Sequence, residues 1–176
     1  MFSLSVTSII APILGLTLLG NYALALQFWA VLIILTNIIF KYILTHDASG
    51  NKNKKLKLFT FFSSIIIAIF GITILPLIIP EFFPKYTGTV VAIQIMSISV
   101  IPATVGQIYT SKLLGLEKSK TLIISRTISA SSFLVAILFL GLTYGIIGVA
   151  VAFVLSTTLQ AAYLAIDGFL KRTKIS

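Results

Sequence analysis

The side chains best suited to handling a polar ligand in this sequence lie inside apolar runs. Gln27, Asn37 and Lys41 share one such run; at 100° per residue they fall within about 80° of one another on a helix. In a second run Ser97, Thr104, Gln107 and Ser111 occupy a similar arc, with Gln94 nearby. A hydrogen-bonding side chain is costly in lipid, so such residues turn toward a neighbouring helix or a wet cavity. Two readings therefore compete: a hydrated cavity lined by both stripes, or hydrogen bonding between helices. Arg126 adds a fixed cation about 10 Å along a helix predicted to begin near Ser119, at 1.5 Å per residue. It either snorkels to the interface or meets an anion, and Lys41 divides in the same way. These residues, Gln94 apart, form the candidate substrate-cavity set.

Other chemistry is missing. The chain has no cysteine, which excludes disulfides, thiolate metal sites and cysteine nucleophiles. Its one histidine, His46, falls in a polar loop, so no imidazole cluster forms and no metal or cofactor is implied. The four acids, Asp47, Glu81, Glu117 and Asp167, stand in loops or near helix ends. General acid–base catalysis needs a positioned titratable pair. None is offered, and an enzyme is not expected.

The elements that must position the polar stripes follow from composition. Of 176 residues, 58% are hydrophobic and 10% charged, and the mean hydropathy is +1.12. A soluble domain carries about 25% charged residues, so this is an integral membrane protein. Each crossing takes roughly 20 apolar residues, and the apolar runs predict six helices near 3–19, 22–45, 58–80, 87–113, 120–142 and 145–170. The predicted fold is an all-α six-transmembrane-helix bundle. Breaks fall at Gly20-Asn21, Thr45 to Lys57, Pro80 to Pro84, Gly115 to Lys120 and Gly141 to Gly145.

Charge placement tests that division. If the 45–57 loop is cytoplasmic, alternation puts every one of the 13 basic residues except Lys85 on that side, as retention of basic loops requires. Both termini are then cytoplasmic. The net charge of +9 is explained by loops and not by nucleic acid. The cluster Lys52, Lys54, Lys55 and Lys57 suits anionic head groups, although topology alone accounts for it. No Lys or Arg precedes Lys41, and the first helix is the shortest. Either a short first helix starts here or the chain is the later part of a longer protein, and the second reading is preferred.

Small residues mark the packing surfaces. Gly148, Ala152, Ser156 and Gln160 recur every four residues, as do Thr157, Ala161 and Ala165; Ser125, Ser129, Ser132 and Ala136 answer from the preceding helix. Such spacing lets backbones approach closely. Gly148, Ala152 and Ser156 are assigned to helix packing. The 58–80 helix carries only hydroxyls and is predicted to face lipid. Pro76 and Pro102 are expected to kink their helices. Asp167 and Lys171, four apart, are spaced for an interfacial pair.

Three segments carry a resemblance. Tyr144-Gly-Ile-Ile-Gly-Val-Ala-Val-Ala152 resembles the start of the last helix in polysaccharide exporters, the oligosaccharide flippases of the multidrug/oligosaccharidyl-lipid/polysaccharide superfamily. Leu114-Gly-Leu-Glu-Lys-Ser119 is similar to their "GxGK"-like loop between the fourth and fifth helices of a lobe. Leu19-Gly-Asn-Tyr-Ala-Leu-Ala25 resembles the turn joining a lobe's first two helices. Their order and spacing agree with one six-helix lobe, the C-terminal one. The resemblance implies two bundles facing a central cavity and working by alternating access. It also implies a lipid-linked sugar as substrate, the cytoplasmic membrane as location, and an N-terminal six-helix lobe as partner. A multidrug exporter lobe of the same superfamily is the nearest rival, and a non-transporting membrane subunit packed on a partner is the other.

Overall fold

The computed structural model describes residues 15–48 and 54–170, and no strand occurs among them. Helix α1 spans Leu16–Ala48, α2 Lys54–Thr73 and α3 Leu75–Phe82. A 3-10 turn, Pro84–Thr89, leads into α4 (Val90–Ile98) and α5 (Val100–Gly115). Helix α6 (Ser119–Ala136) passes through a π-helical turn, Ile137–Gly141, into α7 (Leu142–Leu170). Among the described residues, four stretches are long and apolar enough to cross a bilayer: Leu18–Thr45, Lys54–Thr73, Pro84–Gly115 and Ser119–Gly168. The protein is an all-helical, multi-pass membrane bundle.

The two prolines divide their helices as proline chemistry requires. Each lacks an N–H and sits in the first turn of a new helix, where that donor has no partner anyway. Pro76 separates α2 from α3, and Pro102 separates α4 from α5. The expected 3–19 helix lies mostly outside the described residues. Its end does not stop at Gly20-Asn21 as the sequence suggested, because α1 runs through both. A single glycine costs only about 1 kcal/mol in a helix interior, which a run of this length absorbs. The chain instead departs from helical geometry at Gly15, with φ 84°.

The stretch Ser119–Gly168 is a hairpin. Gly145 has φ 58° and ψ −132°, a region open to glycine and strained for other residues. The limbs reconverge at the far end, where Thr121 Oγ1 donates to Asp167 Oδ2 at 3.2 Å. At the turn, a Cβ on Gly148 would collide with the Leu140 carbonyl, so glycine there permits the tight reversal. Ala152 and Ser156, one and two turns further on, are buried.

Helices α4 and α5 hold the middle of the bundle, touching α1, α2 and α7, while α6 packs on α7. An aromatic chain ties three helices together: Tyr22 stacks on Phe133 at 6.4 Å, Phe133 meets Phe153 at 6.2 Å, and Phe153 meets Trp29 at 5.0 Å. The outer face of α2 exposes Phe59, Phe62, Ile66, Ile69 and Phe70. So large an apolar face is unusual against water and natural against lipid. Basic residues collect at one end. Lys112 Nζ donates to the Gly168 carbonyl at 3.1 Å, and the Thr121–Asp167 bond closes the same end. Lys118 and Lys120 lie between these contacts in sequence, and Lys85 stands in the turn between α3 and α4. Lys171 is outside the described residues, and Thr121 is one partner of Asp167 among those described.

A polar cavity among four helices as candidate functional site

A cavity of about 320 Å³ lies among α1, α5, α6 and α7. Helix α1 presents Trp29, Ile33, Asn37 and Phe40, spaced by four, four and three, which keeps them on one face. Helix α5 contributes Gln107 and Thr110 beside the small residues Pro102, Ala103 and Gly106. Helix α7 adds Thr157, Gln160 and Ala161, and α6 adds Leu122, Ser125 and Arg126.

One contact across its lining joins two amides, with Asn37 exposed and Gln107 half-buried. Gln107 Nε2 donates to Asn37 Oδ1 at 2.6 Å, fixing α5 against α1 across 70 residues of sequence. This bond turns the other end of the Gln107 amide away, and its Oε1 is buried with no hydrogen-bond partner. Trp29 Nε1, on the same cavity wall, is also buried without a partner. Each such orphan costs about 1–3 kcal/mol, a penalty that a bound water or polar ligand removes. Arg126 is exposed at the cavity's edge. No carboxylate lines the cavity among the described residues, so the local field is positive.

The structure thus brings together three of the residues named from sequence: Asn37, Gln107 and Arg126. The others are elsewhere. Gln27 is exposed on α1, outside the lining, and Lys41 is exposed one turn beyond Asn37. Ser97 is buried at the α2–α4 crossing, donating to the Ile93 carbonyl at 2.7 Å, where a Cβ on Gly71 would strike its hydroxyl. Thr104 is buried and donates to the Val100 carbonyl at 2.8 Å. Ser111 is buried and outside the lining.

Trp29 and Gln160 line the cavity although neither belongs to the two polar stripes. Gln160 also continues the four-residue repeat of Gly148, Ala152 and Ser156. Trp29 shares the face of Asn37, eight residues away, and that periodicity was the available signal. No protein-family model, curated protein or solved structure matches the chain.

Proposed function

We propose that the chain is one lobe of a two-lobe, six-helix-per-lobe membrane transporter that flips lipid-linked oligosaccharide or polysaccharide precursors across the cytoplasmic membrane. The observation that carries this reading is the cavity itself. It combines Arg126 with the Asn37–Gln107 amide pair in a membrane bundle, and no carboxylate lines it among the described residues. An anionic phosphate or diphosphate head group needs a cation and hydrogen-bond donors to enter a low-dielectric region. Binding a cationic drug, a proton or sodium near the midplane usually calls for an intramembrane carboxylate, so the lining favours the flippase over the multidrug exporter. Two of the three resembling segments, Leu114 to Ser119 and Tyr144 to Ala152, fall at helix junctions as the resemblance implies, whereas Leu19 to Ala25 lies inside α1.

In this reading the basic end faces the cytoplasm, with both termini there. The amide pair holds α1 to α5 while the cavity is loaded, and alternating access follows from rocking this lobe against its partner lobe. The test uses the chain's freedom from cysteine. Asn37→Cys and Gln107→Cys should react with a small, water-soluble thiol reagent, and inorganic diphosphate should slow that reaction. Cysteines at both positions that stay unlabelled would leave a dry helix contact, as in a non-transporting subunit, and would overturn the reading.

A further inference from the structure

The polar cavity is closed on one side by rings. The basic end of the bundle is where Thr121 meets Asp167; at the opposite end Gly145 faces Leu18, with a Cβ there meeting the Leu18 Cδ2 at 3.9 Å. The aromatic chain of Tyr22, Phe133, Phe153 and Trp29 lies toward that opposite end. Trp29 belongs to the lining, and Tyr22 stands seven residues before it on α1. Phe133 stands seven residues after Arg126 on α6, and Phe153 four before Thr157 on α7. At 1.5 Å per residue these offsets are about 10, 10 and 6 Å, all directed away from the basic end. Centroids 5.0, 6.2 and 6.4 Å apart are rings in contact. Tyr22 and Phe133 are buried, and with Ala25, Val149 and Ala152 they belong to the main apolar core. The basic side is built differently. There the cluster of Leu113, Leu122 and Leu164 closes α5, α6 and α7 on one another and includes no described residue of α1. Asn37 of α1 and Arg126 of α6, which line the cavity from its two flanks, are exposed.

We infer that the aromatic chain is the seal that shuts the cavity away from the basic end, so that ligand enters between α1 and α6 from the basic side, and that the Tyr22–Phe133 contact must part for release on the other. The inference rests on the transporter reading and adds which side is open and which contact holds the other shut. Phe133 is the centre of the seal, because it touches Tyr22 across the α1–α6 boundary and Phe153 across the α6–α7 boundary. Ring contacts are individually weak, so this layer can break without unpacking whole helices. The Asn37–Gln107 bond lies on the basic side of the layer and joins α1 to α5. It can therefore persist while α1 and α6 separate.

The test is sided labelling of the full chain in membranes with a charged maleimide that does not cross them. Lys55→Cys marks the basic side and Lys85→Cys the opposite one; both residues are exposed. Asn37→Cys and Gln160→Cys report on the cavity, the second leaving the amide pair intact. Both reporters should react from the Lys55 side and be protected from the Lys85 side. Adding Phe133→Leu should speed labelling from the Lys85 side by about two- to tenfold, the opening that loss of an aromatic pair permits. Phe70→Leu, on the exposed face of α2, should not. Ser97→Cys, at a buried position, must stay unlabelled in a folded variant; where Phe133→Leu fails that check, Tyr22→Leu takes its place. Labelling from the Lys85 side without any ring substitution overturns the seal and leaves the cavity standing. So does protection that survives in both Phe133→Leu and Tyr22→Leu. Reporters that stay unlabelled from either side overturn the transporter reading and the seal together.

Discussion

Gln94 Nε2 lies 3.1 Å from the Ile72 carbonyl, donating from α4 to the end of α2. Ile72 is four residues before Pro76, so its carbonyl is the acceptor that the proline leaves without a helical donor. The side chain of one broken helix thus repairs the backbone of another. This explains how the break between α2 and α3 is tolerated where water is scarce.

The repair predicts a non-additive pair. Gln94→Leu should destabilise the protein by about 1 kcal/mol, within the range for side-chain hydrogen bonds in membrane bundles. In a Pro76→Ala background, where the backbone N–H is restored, the same change should be close to neutral. A double-mutant cycle on detergent or denaturant unfolding reads the difference. Equal costs in the two backgrounds would show that the contact carries no weight.

At the α6–α7 reversal, Gly145→Ala should cost about 1–3 kcal/mol, the strain of placing a side chain in that backbone region. Gly148→Leu should be worse, because the new side chain meets the Leu140 carbonyl and no rotamer change moves a backbone atom. Ile66→Phe, at a residue 69% exposed, should be mild. Thermal unfolding in detergent ranks the three, and comparable damage at Ile66 would mean that α2 does not face lipid.

Glu117 closes α5 in a left-handed conformation, φ 55°, with Lys118 N–H on the Leu113 carbonyl and Glu117 N–H on the Leu114 carbonyl, both at 2.9 Å. This is the helix-ending pattern that ordinarily uses glycine at that position. Glu117→Gly should therefore raise stability by about 0.5–1 kcal/mol, the relief of a non-glycine residue from the left-handed region less the added chain entropy. A fall in the unfolding midpoint would mean that the carboxylate itself holds the turn.

For function, Arg126→Gln in a complete two-lobe protein should reduce polysaccharide output in cells lacking their own flippase, at matched protein levels. Lys41→Gln, outside the cavity lining, and the joint neutralisation of Lys54 and Lys55 should leave output near that of the unaltered protein. Normal export by the Arg126 variant would make this cation an interfacial anchor.

Much of the architecture was legible because lipid makes the rules coarse. Apolar length, prolines and the separation of basic residues mark α2, the α4–α5 pair and the α6–α7 hairpin without any knowledge of contacts. Cavity membership was less legible. Asn37, Gln107, Ser97 and Thr104 look alike on a helical wheel, yet Ser97 and Thr104 bond back to their own helices and disappear into packing. A hydroxyl can satisfy itself on the carbonyl four residues earlier; an amide also carries a second polar end and must find something outside its helix. Chemistry, more than angular position, separated the cavity residues from the rest. Trp29 escaped because an indole among apolar residues reads as core until its unpaired N–H is seen.

The Gly145 reversal also bears on how the protein is made. Helix α6 is a poor candidate for entering a bilayer alone: it carries Arg126 and a run of hydroxyls. Ser125, Thr127, Ser131 and Ser132 soften the cost by donating to carbonyls three or four residues back, but the guanidinium remains, at about 2.5–3.5 kcal/mol if held at mid-bilayer. Helix α7 is mostly apolar, with Asp167 near its far end as its one charged residue, and follows without a spacer. So tight a joint suits entry into the bilayer as one hairpin, in which the apolar surface of α7 offsets the cost of the polar α6.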